Sequence, residues 1–231
     1  MKYLAANNST KTIKTGKYTD YLQAIMYLIP DDQLCPTSKL AGCQEACLVS
    51  AGRGKFHNVR DARQRKTDAF KADPVAFVDQ LKDDVARFIR KCDKAGKKPL
   101  VRLNGTSDIA WENYPGSDGV TLFDAFPHIQ FADYTKLPNR KVPANYHLTV
   151  SYSEANAKYA AKCAKSDKNL AVVFKHALPK TFLGRPVIDG DKHDARPDDP
   201  KNVIVGLLAK GSAKNDKTGF VIDDSILAKS A

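Results

Sequence analysis

The sequence predicts an α/β fold with a mainly parallel sheet, closed as a partial or full β/α barrel in a single domain. Three observations predict it. Short apolar runs recur along the chain with little polar alternation, as strands buried on both faces require. The longest segments between them carry helical spacing and helix-end signals. The length, 231 residues, suits one sizeable domain.

Residues 1–18 read as an N-terminal extension and residues 19–231 as the domain. The first strand is expected over residues 21–29, ended by Pro30, and a cysteine-bearing loop follows. Residues 58–98 read as mostly helical. Within them Asp73 is a good N-cap, with Pro74 at the first helical position. Phe77, Leu81, Val85, Phe88 and Ile89 share one face, and Gly96 is a stop signal. "PLVRLNG" (99–105) is the second strand, turning at "NGTSD" (104–108). Residues 129–134 and "YHLTVSYS" (146–153) are the third and fourth strands. A helix capped by Ser153 is expected next, then "LAVVFKH" (170–176), "RPVIDGD" (185–191) and "NVIVGLLAK" (202–210). The tail from 218 carries a last short strand.

Composition narrows the function classes. Lys and Arg number 37 against 26 Asp and Glu, a net charge of +11, which favours polyanions such as nucleic acid or nucleotides. With 42% hydrophobic and 27% charged residues, wholesale disorder is excluded. No apolar run reaches the ~20 residues a membrane-spanning helix needs. The first residues lack the apolar core and cleavage site of a secretory signal, so a cytoplasmic protein is expected.

In parallel α/β sheets the ligand site forms where polar residues follow the carboxyl ends of strands. Here those positions hold Cys35, Cys43 and Cys47; Asn104, Thr106, Ser107, Asp108 and Glu112; Asp133, Thr135 and Lys136; Ser151, Ser153 and Glu154; and Lys175 and His176. Three of the five cysteines fall within residues 35–47, with C-x7-C-x3-C spacing. A disulfide framework is disfavoured in a reducing cytosol. Three readings stay open: a three-thiolate iron–sulfur cluster with one open iron, a zinc site with His57 as fourth ligand, or three buried thiols without a ligand. Cys92 and Cys163 lie on apparently amphipathic helices and read as small apolar residues.

The three-cysteine loop after the first strand resembles the radical SAM superfamily. More narrowly, "CPTSKLAGCQEACLVSAGRG", the arginine-rich "NVRDARQRKTDAF" and "VRLNGTSDI" resemble a group of uncharacterised phage proteins named after a mycobacteriophage gene product. The superfamily's usual spacing is C-x3-C-x2-C with an aromatic residue before the last cysteine. Here the spacing is longer, and Ala46 precedes Cys47. The resemblance implies a 4Fe-4S cluster on Cys35, Cys43 and Cys47, and S-adenosylmethionine bound at its open iron. It places Asn104 and Asp108 at the amino group of that ligand, Ser151 or Ser153 at its ribose and Lys175 at its carboxylate. It also implies a phage-encoded enzyme in the host cytoplasm, served by a host reducing system and acting on a nucleotide, nucleic acid or other anionic substrate. The alternative class is a basic nucleic-acid-binding or host-interaction protein with a structural zinc or no metal.

Other features carry two readings each. "DGDKHDARPDD" (189–199) is a solvated acidic loop or an oxygen-ligand metal site, without EF-hand spacing. Arg53, Lys55, Arg60, Arg63, Arg65 and Lys66 form a solvated helix face or a phosphate contact. Trp111, the single tryptophan, is core or a stacking surface. No nucleophile-elbow, Walker or Rossmann motif occurs, so a hydrolase has no motif to stand on.

Overall fold

The protein is described by a computed structural model covering residues 2–6, 9–47 and 52–225. Ten strands form the sheet: β1 (Leu4–Ala6), β2 (Tyr21–Met26), β3 (Lys98–Arg102), β4 (Gln130–Thr135), β5 (Tyr146–Ser151), β6 (Leu170–Phe174), β7 (Thr181–Phe182), β8 (Arg185–Asp189), β9 (Ile204–Leu208) and β10 (Val221–Ile222). Their order is β1-β2-β3-β4-β5-β6-β9-β8-β7, with β10 beside the end of β6. Five α-helices lie among the described residues: α1 (Thr10–Tyr18), α2 (His57–Ala72), α3 (Pro74–Lys94), α4 (Leu122–Ala125) and α5 (Ala157–Ala164).

The barrel expectation is overturned. The sheet is mixed: β2 through β6, β9 and β8 run parallel through its middle, while β1 and the β7–β8 hairpin make its edges antiparallel. The edge strands β1 and β7 do not pair, so no barrel closes. The reason is local. A closing strand would have to pair with the outer side of β2, and β1 already occupies it in the opposite direction, from Leu4↔Met26 to Ala6↔Ala24. The regular strand–helix alternation also fails. Residues 136–145, between β4 and β5, hold Pro138 and Pro143 and form no helix, and α4 is a single turn.

Both faces of the sheet are covered. On one, Leu22, Ala24, Met26, Val101, Leu103, Phe131 and Leu148 pack with Phe77, Val78, Leu81, Val85 and Phe88 of α3. Each such side chain contributes about 1.5–3 kcal/mol by leaving water. Asp73 caps α3 through Ala76 N–H (2.9 Å), and Pro74 stands in its first turn. On the other face Leu100 and Ala132 meet Ala195. There α1 and residues 191–199 lie across the strands: Thr15 Oγ1 accepts from Asp194 N–H (3.0 Å), and Asp194 takes Arg102 (2.7 Å) and Tyr134 OH (2.9 Å). Within the expected extension, Leu4–Ala6 therefore supply an edge strand and Thr10–Tyr18 a helix. That helix begins with a capping box in which Ser9 and Thr12 bond each other's backbone. Ser153 does not cap α5. Asn156 does, through Tyr159 N–H (3.0 Å).

Among the described residues no helix is long and apolar enough to cross a membrane.

Candidate functional site

The cysteine loop leaves β2 and folds back over the carboxyl edge of the sheet. Asp31 starts it, accepting Leu34 N–H (2.9 Å), and Cys35 N–H donates to Asp31 O (2.8 Å). A short turn carries Cys35 O to Ser38 N–H (3.0 Å) and Ser38 O to Cys43 N–H (3.1 Å). Gly42 lets the loop reach the far strands: its φ is +65°, and a Cβ there would lie 2.6 Å from Thr218 Oγ1 and 2.7 Å from Ala155 Cβ. Ser153 fixes the same contact, donating to Ala41 O (2.7 Å). Residues 48–51, which follow Cys47, lie outside the described residues.

The loop brings its three thiols together. Cys35 and Cys43 are buried and Cys47 is half-buried. Cys35 Sγ lies 3.9 Å from Thr106 O, and Cys43 Sγ lies 3.6 Å from Ser38 O. Burial pushes the Cys35 thiol up to about 12. The Lys136 ammonium pulls against that rise, while Asp108, Cys47 and Cys43 add to it. Burial raises Cys43 as well, opposed by the charge of Lys136. Lys136 is lowered by burial, but Cys43, Asp108, Cys35 and Cys47 outweigh this and hold the ammonium above its ordinary range. Lys136 is half-buried at the end of β4, within electrostatic reach of the three thiols and Asp108.

Asp108 is the hinge of this arrangement. Its N–H donates to Leu34 O (2.8 Å), and its Oδ2 accepts from Lys136 N–H (2.7 Å). It thus ties the turn after β3 both to the cysteine loop and to the end of β4. Arg140 braces it from behind, 3.5 Å from Asp108 Oδ1 and forked onto Glu112 (2.7 and 2.5 Å).

The other sequence-predicted residues fall elsewhere. Asn104 is buried in the turn. Its Oδ1 accepts from Ser107 Oγ (2.8 Å), Ile109 N–H (3.0 Å) and Trp111 Nε1 (3.1 Å), and its Nδ2 donates to Ile109 O (3.0 Å). Ser151 accepts Tyr159 OH on its backbone carbonyl (2.6 Å). Lys175 is exposed and pairs with Asp223 (3.2 Å). Cys92 and Cys163 are fully buried in apolar clusters. Trp111 is core, fully buried against Phe70 and Phe77.

The basic stretch divides. Arg63 lies over the Tyr27 ring (4.7 Å) and Lys66 reaches Tyr3 O (3.0 Å), while Arg60 and Arg65 stay exposed. His57 is exposed at the start of α2, lining a shallow hollow with Ile29, Arg60, Asp61 and Gln64.

A hollow of about 660 Å³ lies away from the thiols, between Tyr18–Asp20 and residues 188–200. Asp20, Asp189, Asp198, Asp199 and His193 line it. Among the described residues no three His, Cys, Asp or Glu groups close on a single metal ion, there or at the cysteines. Lys136, within electrostatic reach of the thiols, carried no motif. Only its place one residue past a strand signalled it.

Fold and site together define an α/β protein with an open mixed sheet and a thiol-rich centre on the sheet's carboxyl edge. The chain belongs to the Gene product 88 family, whose model matches residues 2–224. No curated protein and no solved structure matches it.

Proposed function

We propose that the protein is a phage-encoded iron–sulfur protein in which Cys35, Cys43 and Cys47 hold a 4Fe-4S cluster, leaving one iron open to a small anionic ligand. The observation that carries this reading is the placement of three thiols on one loop at the sheet's carboxyl edge, with Cys35 Sγ 3.9 Å from Thr106 O and Cys43 Sγ 3.6 Å from Ser38 O. Three sulfurs on one loop supply three corners, the number a cluster with one open iron takes. His57 stands on the exposed start of α2, which weighs against it as a fourth zinc ligand. The Gene product naming is consistent with a phage source.

When bound, such a cluster supplies an electron, delivered by a host reducing system, and an open iron for an amino-carboxylate such as that of S-adenosylmethionine. The chain's own residues do the rest. Asp108 orders the β3 turn against the loop. Ser153 and Gly42 press the loop onto the β5 end. Lys136 supplies positive charge. With a net charge of +11, an anionic substrate, nucleotide or nucleic acid, is the matching class.

Anaerobic reconstitution with iron and sulfide tests the reading. The expected result is about four irons per chain, with a broad band near ~400 nm, lost in each of Cys35→Ala, Cys43→Ala and Cys47→Ala. Colourless protein, with salt-sensitive DNA binding unchanged in the triple variant, would replace this reading with that of a basic nucleic-acid binder.

A further inference from the structure

Between Gly52 and Thr67 the chain holds six Arg and Lys residues and one acid, Asp61. Two of the six turn inward: Arg63 onto the Tyr27 ring and Lys66 onto Tyr3 O. Arg53, Lys55, Arg60 and Arg65 are exposed. A tight turn over Gly52–Lys55 delivers the chain to α2, with Phe56 N–H donating to Arg53 O (3.2 Å). Phe56, the residue before the helix, is 60% exposed, more than any other large apolar residue among those described. Its carbonyl accepts Arg60 N–H (3.0 Å), so Arg60 stands one turn further along. His57, Arg60 and Gln64 continue that side of α2 around a hollow of about 310 Å³, which Ile29 and Asp61 complete. Thr67 Oγ1 accepts Ile29 N–H (2.9 Å), fastening α2 to the segment that leaves β2 at the sheet's carboxyl edge. The first turn of α2 carries no acid, so nothing in it offsets the partial positive charge of a helix start.

A large aromatic left in water forgoes the stabilisation of burial. Among cations it has a use: bases stack on aromatic faces while Arg and Lys hold the phosphates that link them. A duplex keeps its base faces in its own stack, so the bases that fit are unpaired ones. An anionic membrane fits less well. A helix lying on lipid needs a broad apolar face, and the exposed residues in the first two turns of α2 are His57, Asn58, Arg60, Asp61 and Gln64.

We propose that Arg53, Lys55, Phe56 and Arg60 form a binding surface for single-stranded nucleic acid, with a base stacked on Phe56 and the flanking phosphates on the three cations. The proposal goes beyond the iron–sulfur reading and does not depend on it, since no thiol takes part.

The test uses the full chain, before and after iron reconstitution, and a labelled oligothymidine of about 15 nucleotides followed by anisotropy across a salt series. A duplex of mixed sequence and phosphatidylcholine–phosphatidylserine vesicles are measured beside it. Wild type is expected to bind the single strand more tightly than the duplex, in both preparations. Phe56→Ala is expected to weaken binding about tenfold with the salt slope kept. The double variant Lys55→Gln/Arg60→Gln is expected to flatten the slope of log K against log salt by about 1.4, ~0.7 for each lost phosphate contact. Arg65→Gln, nine residues from Phe56 and so half a turn around the helix, is expected to change neither. Trp111 fluorescence checks that each variant is folded; should Phe56→Ala not fold, the slope of the double variant decides. Wild-type affinity in Phe56→Ala, an unchanged slope in the double variant, equal affinity for the duplex, or binding of vesicles without the oligonucleotide each overturns the proposal. Absence of iron uptake beside the expected binding overturns the iron–sulfur reading and leaves this one standing.

Discussion

Asn104 shows how one side chain can organise a turn. Its amide oxygen takes three donors, including the indole of Trp111, and its amide nitrogen returns a bond to Ile109 O. With Oδ1 gone, buried donors at Ile109 and Trp111 lose their acceptor. Asn104→Ala is therefore expected to cost about 3 kcal/mol. Urea unfolding followed by the fluorescence of Trp111, the single tryptophan, measures this directly. An Asn at the end of a strand read as a ligand-facing group, because strand-end polar residues usually are. The bonds that turn it inward come from residues up to 42 positions away, such as Tyr146. Lys136 carries no motif, and its place near the cysteine loop comes from Asp108, which accepts the Lys136 backbone N–H while donating its own N–H to Leu34 O.

Among the elements, the cysteine loop depends most on contacts outside itself. Gly42 sits between Cys35 on one side and Cys43 and Cys47 on the other, and it approaches both Ala155 and Thr218. Thr218 Oγ1 donates to Gly42 O (2.9 Å), so the segment leading into β10 holds the loop down. Gly42→Ala adds a methyl group into that contact at a left-handed backbone. It is expected to cost at least about 1–2 kcal/mol and to reduce iron uptake, read as a lower iron-to-protein ratio after reconstitution. The helices obey more local rules. The Asp73 cap, Pro74 and the apolar face of α3 were legible in the sequence because they lie within a few residues of one another. The helix α1 was not. Its Thr- and Lys-rich sequence lacks a strong apolar stripe, and its place is set by Gln23 and Asp194 beneath it. Asn156 took the cap of α5 because Ser153, three residues earlier, is held by Ala41 O and Gly219 O.

At the scale of the whole molecule, the segment across the second sheet face couples stability to pH. Burial pushes the Asp199 carboxyl up to about 6, against the pull of Arg196, from an ordinary 3.8. Between those values the folded chain holds a proton that the unfolded chain releases. The stabilisation from that proton is therefore full below about 4 and is lost as pH rises through about 6. Asp194 acts oppositely: despite its burial, Lys11, Arg102 and Arg196 hold it well below the usual carboxylate range, so its contribution is lost only in stronger acid. Asp199→Asn removes the first effect and leaves the second. The stability of wild type minus that of Asp199→Asn, from denaturant curves at pH 4, 5, 6 and 7, is expected to shrink across pH 4–6. A flat difference would show that Asp199 titrates alike in both states.

By itself the sequence determined the polar, thiol-bearing strand ends, the strand-forming apolar runs and the capped, amphipathic α3, since each is written in residues near one another along the chain. Tertiary structure alone decided that β1 would occupy the side of β2 a barrel needs, that α1 and residues 191–199 would cover a sheet face, and that Lys136 would sit near the thiols. Those outcomes depend on contacts between segments as many as 183 residues apart, and no local pattern of side chains encodes which distant partner a free strand edge or an unpaired charge will meet.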